Sequence, residues 1–291
     1  MPVFVLRDSD RPSESYDAQA PQNLTEVRIF IAFQAIGGIG LLAVLLTVIL
    51  APRVYRHFTW LNFCITWLIY CISYLLLAFS GAQTSREPPS YPLCLTQASL
   101  IYAAPVLVSM STFALVLQLW FTLSKALAPP KAKQRDCLRD GFLLIAPYVA
   151  WLTEVIVILV IGTKHPEDVE RAGHFVYCTI STGRPGNITA AIVATMLLIM
   201  IGFDIYIAAV LYKNWRALHK SDHPFQIPLS LLIRVAVFSL VCVIGIGCAF
   251  VFLASVSYYA GNIIISLMPL IAFLVFGTQR DILRVWMFWR R

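Results

Sequence analysis

The stretch CLTQASLIYAAPVLVSMSTFALVLQLWFTLSK, residues 94–125, decides the fold. It is apolar along its whole length, headed by Cys94 and closed by Lys125, with Ala103, Ala104, Ser109, Ser111 and Thr112 in its middle and Gln118 deeper. As a helix rising ~1.5 Å per residue it exceeds the ~30 Å hydrocarbon core of a bilayer, so it can tilt and still span. A span that carries polar residues needs protein around it, because lipid cannot satisfy them. We read it as the third and central helix of a seven-helix membrane bundle. The competing reading is a lipid-facing span whose Ser and Thr bond only their own backbone.

Working outward, the 291 residues are 59% hydrophobic and only 13% charged, with a mean hydropathy of +0.77. Soluble domains run at ~25% charged, so this balance belongs to a polytopic membrane protein. Seven continuous apolar runs are long enough to span, at roughly 27–50, 59–80, 97–123, 142–162, 188–212, 229–254 and 259–277. None alternates as a barrel strand would, so the expected class is all-α. The expected organisation is a polar, disordered outer tail over 1–26, a seven-span bundle over 27–278 and an interfacial helix over 279–291. The tail shows no basic region followed by an apolar one and a small-residue cleavage site, so no removable signal peptide is expected.

Orientation follows from the basic residues. Fourteen Lys and Arg fall in the first, third and fifth loops and the C-terminal tail, against six in the N-terminal tail and the other loops. That asymmetry places the N-terminus outside and the C-terminus in the cytoplasm. The net charge of +7 is therefore topological and not a nucleic-acid footprint. Of seven cysteines, only Cys94 and Cys178 fall on the outer side, where an oxidising compartment favours a bond between them. After Phe276-Gly277, Ile282, Val285, Trp286 and Trp289 recur at helical spacing among Arg280, Arg284, Arg290 and Arg291. That pattern suits a helix lying in the membrane interface, with its chief partner the membrane lipid.

Charges inside spans are costly and mark function by default. Glu154, mid-way along the fourth span, is either a ligand counter-charge or an interhelical hydrogen bond. Asp204 and Arg234 sit at matched depth on the fifth and sixth spans, ~9–13 Å from the loop between them. They are a candidate ion pair that closes the cytoplasmic ends and yields on activation; a static pair serves equally well. Gln118 is a candidate for the same switch. Toward the outside, Tyr102, Ser109, Thr195, Tyr258 and Asn262 are candidates to line a ligand cavity together with Glu154. Aromatic residues at that level also form the usual interfacial belt.

Catalysis has no support in the residues. His57, His165, His174, His219 and His223 lie in loops or at span edges, so no metal site converges inside the membrane. The seventh run has no lysine for a retinal, no nucleophile–base arrangement is present, and no cofactor is expected. A transporter would show paired repeats or broken helices with midplane charges, and only Glu154 hints at that.

The stretches TWLNF (59–63), LCLTQASLIYAAP (93–105), STFALVLQLWFTL (111–123) and FGTQRDILRVW (276–286) resemble fungal seven-transmembrane proteins of the G-protein-coupled-receptor type, above all those of mushrooms. The Phe-Gly-Thr at 276–278 is more distantly similar to fungal mating-pheromone receptors. The resemblance spans nearly the whole chain. It implies a multi-pass plasma-membrane receptor for an extracellular ligand, relaying to a heterotrimeric G protein through Lys125, Arg135, Arg139, Lys213 and Arg216. The chain departs from rhodopsin-like receptors at Leu119-Trp120-Phe121-Thr122, where those carry an acidic-Arg-Tyr triplet. It departs again at Met268-Pro269, where they carry Asn-Pro. A transporter or membrane scaffold is the alternative.

Overall fold

The computed structural model describes residues 20–51, 54, 56–83, 88–127, 136–171, 176–182, 184–220, 229–254 and 258–287. Seven long helices follow one another: α1 (Ala20–Leu50), α2 (Phe58–Phe79), α3 (Tyr91–Leu127), α4 (Asp136–Lys164), α5 (Arg184–Lys220), α6 (Leu229–Ala254) and α7 (Tyr258–Gly277). A short α8 (Arg280–Trp286) leaves α7 at 88°. Between α4 and α5 the chain forms an antiparallel hairpin of β1 (Val169–Arg171) and β2 (Cys178–Ile180), with Arg171 opposite Cys178.

The architecture is that of an all-α membrane protein. By length and composition α1 to α5 each suffice to cross a membrane, and the described apolar parts of α6 and α7 are shorter. Two-thirds (67%) of the most apolar window of α3 is buried, against 11% for α4, so α3 is central and α4 peripheral. Helix α3 packs on α2, α4, α5 and both strands. Its hydroxyls do both things considered for them: Ser111 meets Thr66 of α2 at 2.7 Å while also bonding the carbonyl of Val108.

Small residues set the closest helix approach. A Cβ on Gly37 of α1 would lie 2.7 Å from the backbone nitrogen of Leu270, and one on Gly40 would lie 2.5 Å from the Phe273 ring. Without a hydrophobic drive between helices in lipid, such contact is what holds a membrane bundle together. Near the start of α2, Phe63 packs at a tilt against Phe276 in the last turn of α7 at 4.6 Å and meets Phe238 of α6 edge-on at 5.6 Å. Each aromatic pair adds ~0.5–1.5 kcal/mol beyond its burial.

Three expectations shift. Helix α1 begins at Ala20, and Glu26 is buried, so the polar tail ends before residue 26; residues 1–19 lie outside the described residues. Helix α8 stops at Trp286, with Trp289 and the last arginines outside the described residues. Part of its apolar face meets protein: Ile282 is fully buried and the Trp286 indole donates to Thr47 Oγ1 of α1 at 2.8 Å. The hairpin was not expected. Its strands are too short for alternation to show.

Candidate functional site

The hairpin covers one end of the bundle, and what fixes it there is specific. A disulfide joins Cys94, at the start of α3, to Cys178 of β2, as the pairing of the two thiols predicts. Next to it, the Cys178 amide donates to Gln97 Oε1 at 3.0 Å and the Ile180 amide to the Tyr102 hydroxyl at 3.3 Å. Gln83 donates to the carbonyl of Val176 at 2.9 Å, and Arg171 to that of Ala82 at 3.1 Å. Tyr177 completes the ties: its hydroxyl donates to Asn262 of α7 at 3.0 Å, and Asn262 donates to the buried Glu26 carboxylate of α1 at 2.9 Å. Burial, helped by Tyr102 and Glu26 nearby, pushes the Tyr177 phenol up from its ordinary value, so it remains a donor at neutral pH.

Beneath this lid is a cavity of about 320 Å³, at the small end of the ~300–1,000 Å³ typical of ligand pockets. Helices α2, α3, α5, α6 and α7 all contribute to its walls, with Trp67, Tyr102, Val193, Cys242 and Met268 among them. Among the described residues no charged side chain lines it. Its hydroxyls are mostly occupied: Ser109 bonds the carbonyl of Val106, Thr112 that of Val108, Tyr70 that of Ile265, and Thr189 donates to Glu154 at 2.5 Å.

A second cavity of about 1,010 Å³ opens at the opposite end, where α2 and α6 begin, α3 ends and α8 starts. It is polar and cationic, with Arg56, Arg234, Arg280 and Arg284 against Asp281, the single acid among its described lining residues. Arg56 bonds both Gln279 and Asp281, pinning the start of α8 to the chain before α2. His57 caps α2 by accepting from the Thr59 amide, while its Nε2 faces Gln118 Nε2 at 3.1 Å and Asp140 at 3.6 Å. The two cavities are separated by the Phe63 cluster: Trp67 lines the first, Trp60 the second, and Phe63 lies one turn from either on α2.

The candidate ligand residues divide accordingly. Tyr102 and Ser109 line the lidded cavity. Asn262 holds the lid instead, and Thr195 faces outward and bonds the carbonyl of Ala191, which removes it from any such cavity. Glu154 is not in the cavity wall; it links α4 to α5 through Thr189, so of its two readings the interhelical hydrogen bond is the one realised. Tyr258 begins α7, with its side chain outside the described residues.

Asp204 and Arg234 do not form the expected ion pair. Asp204 lies against Ser239 of α6, and Arg234 turns to the end of α7, where it bonds the carbonyl of Val275 and both the hydroxyl and carbonyl of Thr278. The last carbonyls of a helix have no intrahelical donor and carry partial negative charge, so they compete for a guanidinium. Matched depth in two neighbouring helices fixed one coordinate only. Of the basic residues assigned to a partner face, Lys125 and Lys213 are exposed, and Arg139 bonds Asp140 and stacks over Phe121 at 4.5 Å. Arg135, and the side chain of Arg216, lie outside the described residues. Among the described residues, His165, Glu167 and Asp168 gather potential metal-ligand atoms within 4.8 Å, but on an open surface where Asp168 already accepts from Ser181.

Sequence reasoning missed Glu26, Tyr177 and Gln97. A buried acid near the start of an apolar helix was a visible signal for the first of these. No protein-family model matches the chain, and no curated protein matches it.

Proposed function

We propose that the chain is a seven-span signalling receptor of the plasma membrane, its lidded end outside, which binds a small extracellular ligand and relays its presence to a heterotrimeric G protein. The observation that carries this reading is the pairing of two unlike cavities in one bundle. One is apolar and covered by a disulfide-anchored hairpin; the other is polar and cationic. Helices α2, α3 and α6 wall both. A ligand that repacks Trp67 or Met268 acts on side chains joined through Phe63, Phe238 and Phe276 to the far end, where Arg234 holds the last turn of α7. A ligand shifts such an equilibrium only by its difference in affinity for the two arrangements, and a packed aromatic cluster favours discrete arrangements over gradual ones. No catalytic role is assigned.

The basic rim supports an acidic partner at the far end. Lys125 lies near the end of α3, Arg139 near the start of α4, Lys213 and Arg216 toward the end of α5, and Arg135 falls in the sequence between α3 and α4. The test is a ligand screen with stimulated guanine-nucleotide exchange as readout, in a host without receptors of its own. Exchange is expected to respond to an apolar ligand and to fall when Lys213 and Arg216 are changed to Glu. Ligand accumulation in sealed vesicles without any exchange would replace the receptor with a transporter.

A further inference from the structure

We infer that the lidded cavity takes an uncharged, mainly hydrocarbon ligand bearing one hydrogen-bond acceptor, and that the Tyr102 hydroxyl is the donor that receives it. This deepens the receptor reading and rests on it for its biological sense, but the binding chemistry stands on the cavity alone.

Charge is excluded first. A charged group taken out of water needs a partner, and among the described residues no ionised side chain lines the cavity. Glu154 of α4 lies outside the described wall: its Oε1 accepts from the cavity-lining Thr189, and its Oε2 is buried without a hydrogen-bond partner among the described residues. Most of the hydroxyl donors in the wall are spent on protein. The hydroxyl protons of Ser109, Thr112, Tyr70 and Thr189 all point to protein acceptors, and that of Tyr177 to Asn262. Tyr102 differs. Its oxygen accepts from the Ile180 amide of the lid, and its own proton has no acceptor among the described residues. A half-buried phenol whose proton is unspent, in an otherwise apolar wall, is arranged to meet a carbonyl, ether or hydroxyl oxygen. The same phenol ties the lid, so ligand and lid share one atom.

The test uses the full chain, disulfide intact, in phosphatidylcholine nanodiscs, with radiolabelled camphor as probe in equilibrium dialysis and empty nanodiscs as the lipid blank. Bornane, bornylamine and camphorsulfonate compete on the same carbon skeleton as hydrocarbon, cation and anion. Camphor is expected to bind at one per chain, bornane about fivefold more weakly, the scale of one hydrogen bond. Neither ion should compete at hundredfold excess. Tyr102→Phe should bring camphor down to bornane's affinity and leave bornane unchanged, with the thermal midpoint showing the variant folded. Val193→Trp, which fills the cavity, should abolish both.

Equal or better competition by either ion overturns the assignment, and so does a camphor-to-bornane ratio untouched by Tyr102→Phe. Binding of camphor that survives in folded Val193→Trp places the ligand elsewhere and overturns it as well. Absence of binding by all four overturns the ligand class while leaving the nucleotide-exchange test of the receptor reading unaffected.

Discussion

Replacing Gly37 by Ala should cost far more than one methyl group usually does in a helix. The added Cβ would sit 2.7 Å from the backbone nitrogen of Leu270 and 2.8 Å from the carbonyl carbon of Pro269. Ordinary carbon contacts begin near ~3.5 Å, so α1 and α7 must part by most of an ångström. Both obstructing atoms are backbone, and Pro269 removes the rotational freedom with which α7 could yield. Overpacking of this kind costs ~1–3 kcal/mol. Gly202 supplies the internal control, because a Cβ there meets nothing within 4 Å. Gly202→Ala should be neutral or stabilise by up to ~1 kcal/mol. Gly38→Ala, 3.2 Å from Cys71 Cβ, should fall between them. The assay is thermal unfolding in detergent followed by a thiol-reactive dye, which reads the buried Cys64 and Cys71 once exposed Cys137 is replaced by Ser. Because Ile265 and Met268 of α7 line the lidded cavity, camphor affinity should fall with stability in Gly37→Ala and hold in Gly202→Ala. Equal unfolding midpoints for Gly37→Ala and Gly202→Ala would refute the close α1–α7 seam.

A double-mutant cycle of Asp204→Asn and Arg234→Ala should return a coupling energy below ~0.5 kcal/mol, as for residues without shared partners; a coupling of a few kcal/mol would restore the ion pair. Arg234→Ala alone should destabilise by ~1–3 kcal/mol by leaving the end of α7 unsatisfied, whereas Asp204→Asn should do little, both read by the same dye assay. The Cys94→Ser and Cys178→Ser double variant opens an 84-residue loop, for which chain entropy alone gives ~4–5 kcal/mol. Helices that stay formed in detergent lower that figure, so the expected signature is local, with faster hydrogen exchange at Cys178→Ser and Ile180 and unchanged exchange in the middle of α3. Uniform acceleration along α3 would show that the disulfide supports the bundle and not the lid.

Much of the fold was legible because a membrane imposes a one-dimensional rule. Apolar length, helix rise and backbone satisfaction decide that the chain is helical and where its long helices lie, before any contact is known. Cys94 and Cys178 were readable as a pair because sidedness removed the other five thiols from competition. Side-chain destinations were not readable in that way. Depth along a helix says nothing of azimuth, so Thr195 faces outward, Glu154 stops short of the cavity, and Arg234 finds the carbonyls of α7 instead of Asp204.

The sequence by itself determined an all-α chain of membrane-spanning helices, a central third helix and a covalent tie across one end. Only the tertiary structure decided that a short hairpin roofs an apolar cavity, that Tyr102 keeps an unspent proton there, and that Glu26, Asn262 and Tyr177 form one chain of hydrogen bonds across 236 residues. Hydrophobic length is a property of a segment and can be read from it, whereas hydrogen-bond satisfaction is a property of pairs and exists only once the helices have taken their rotations.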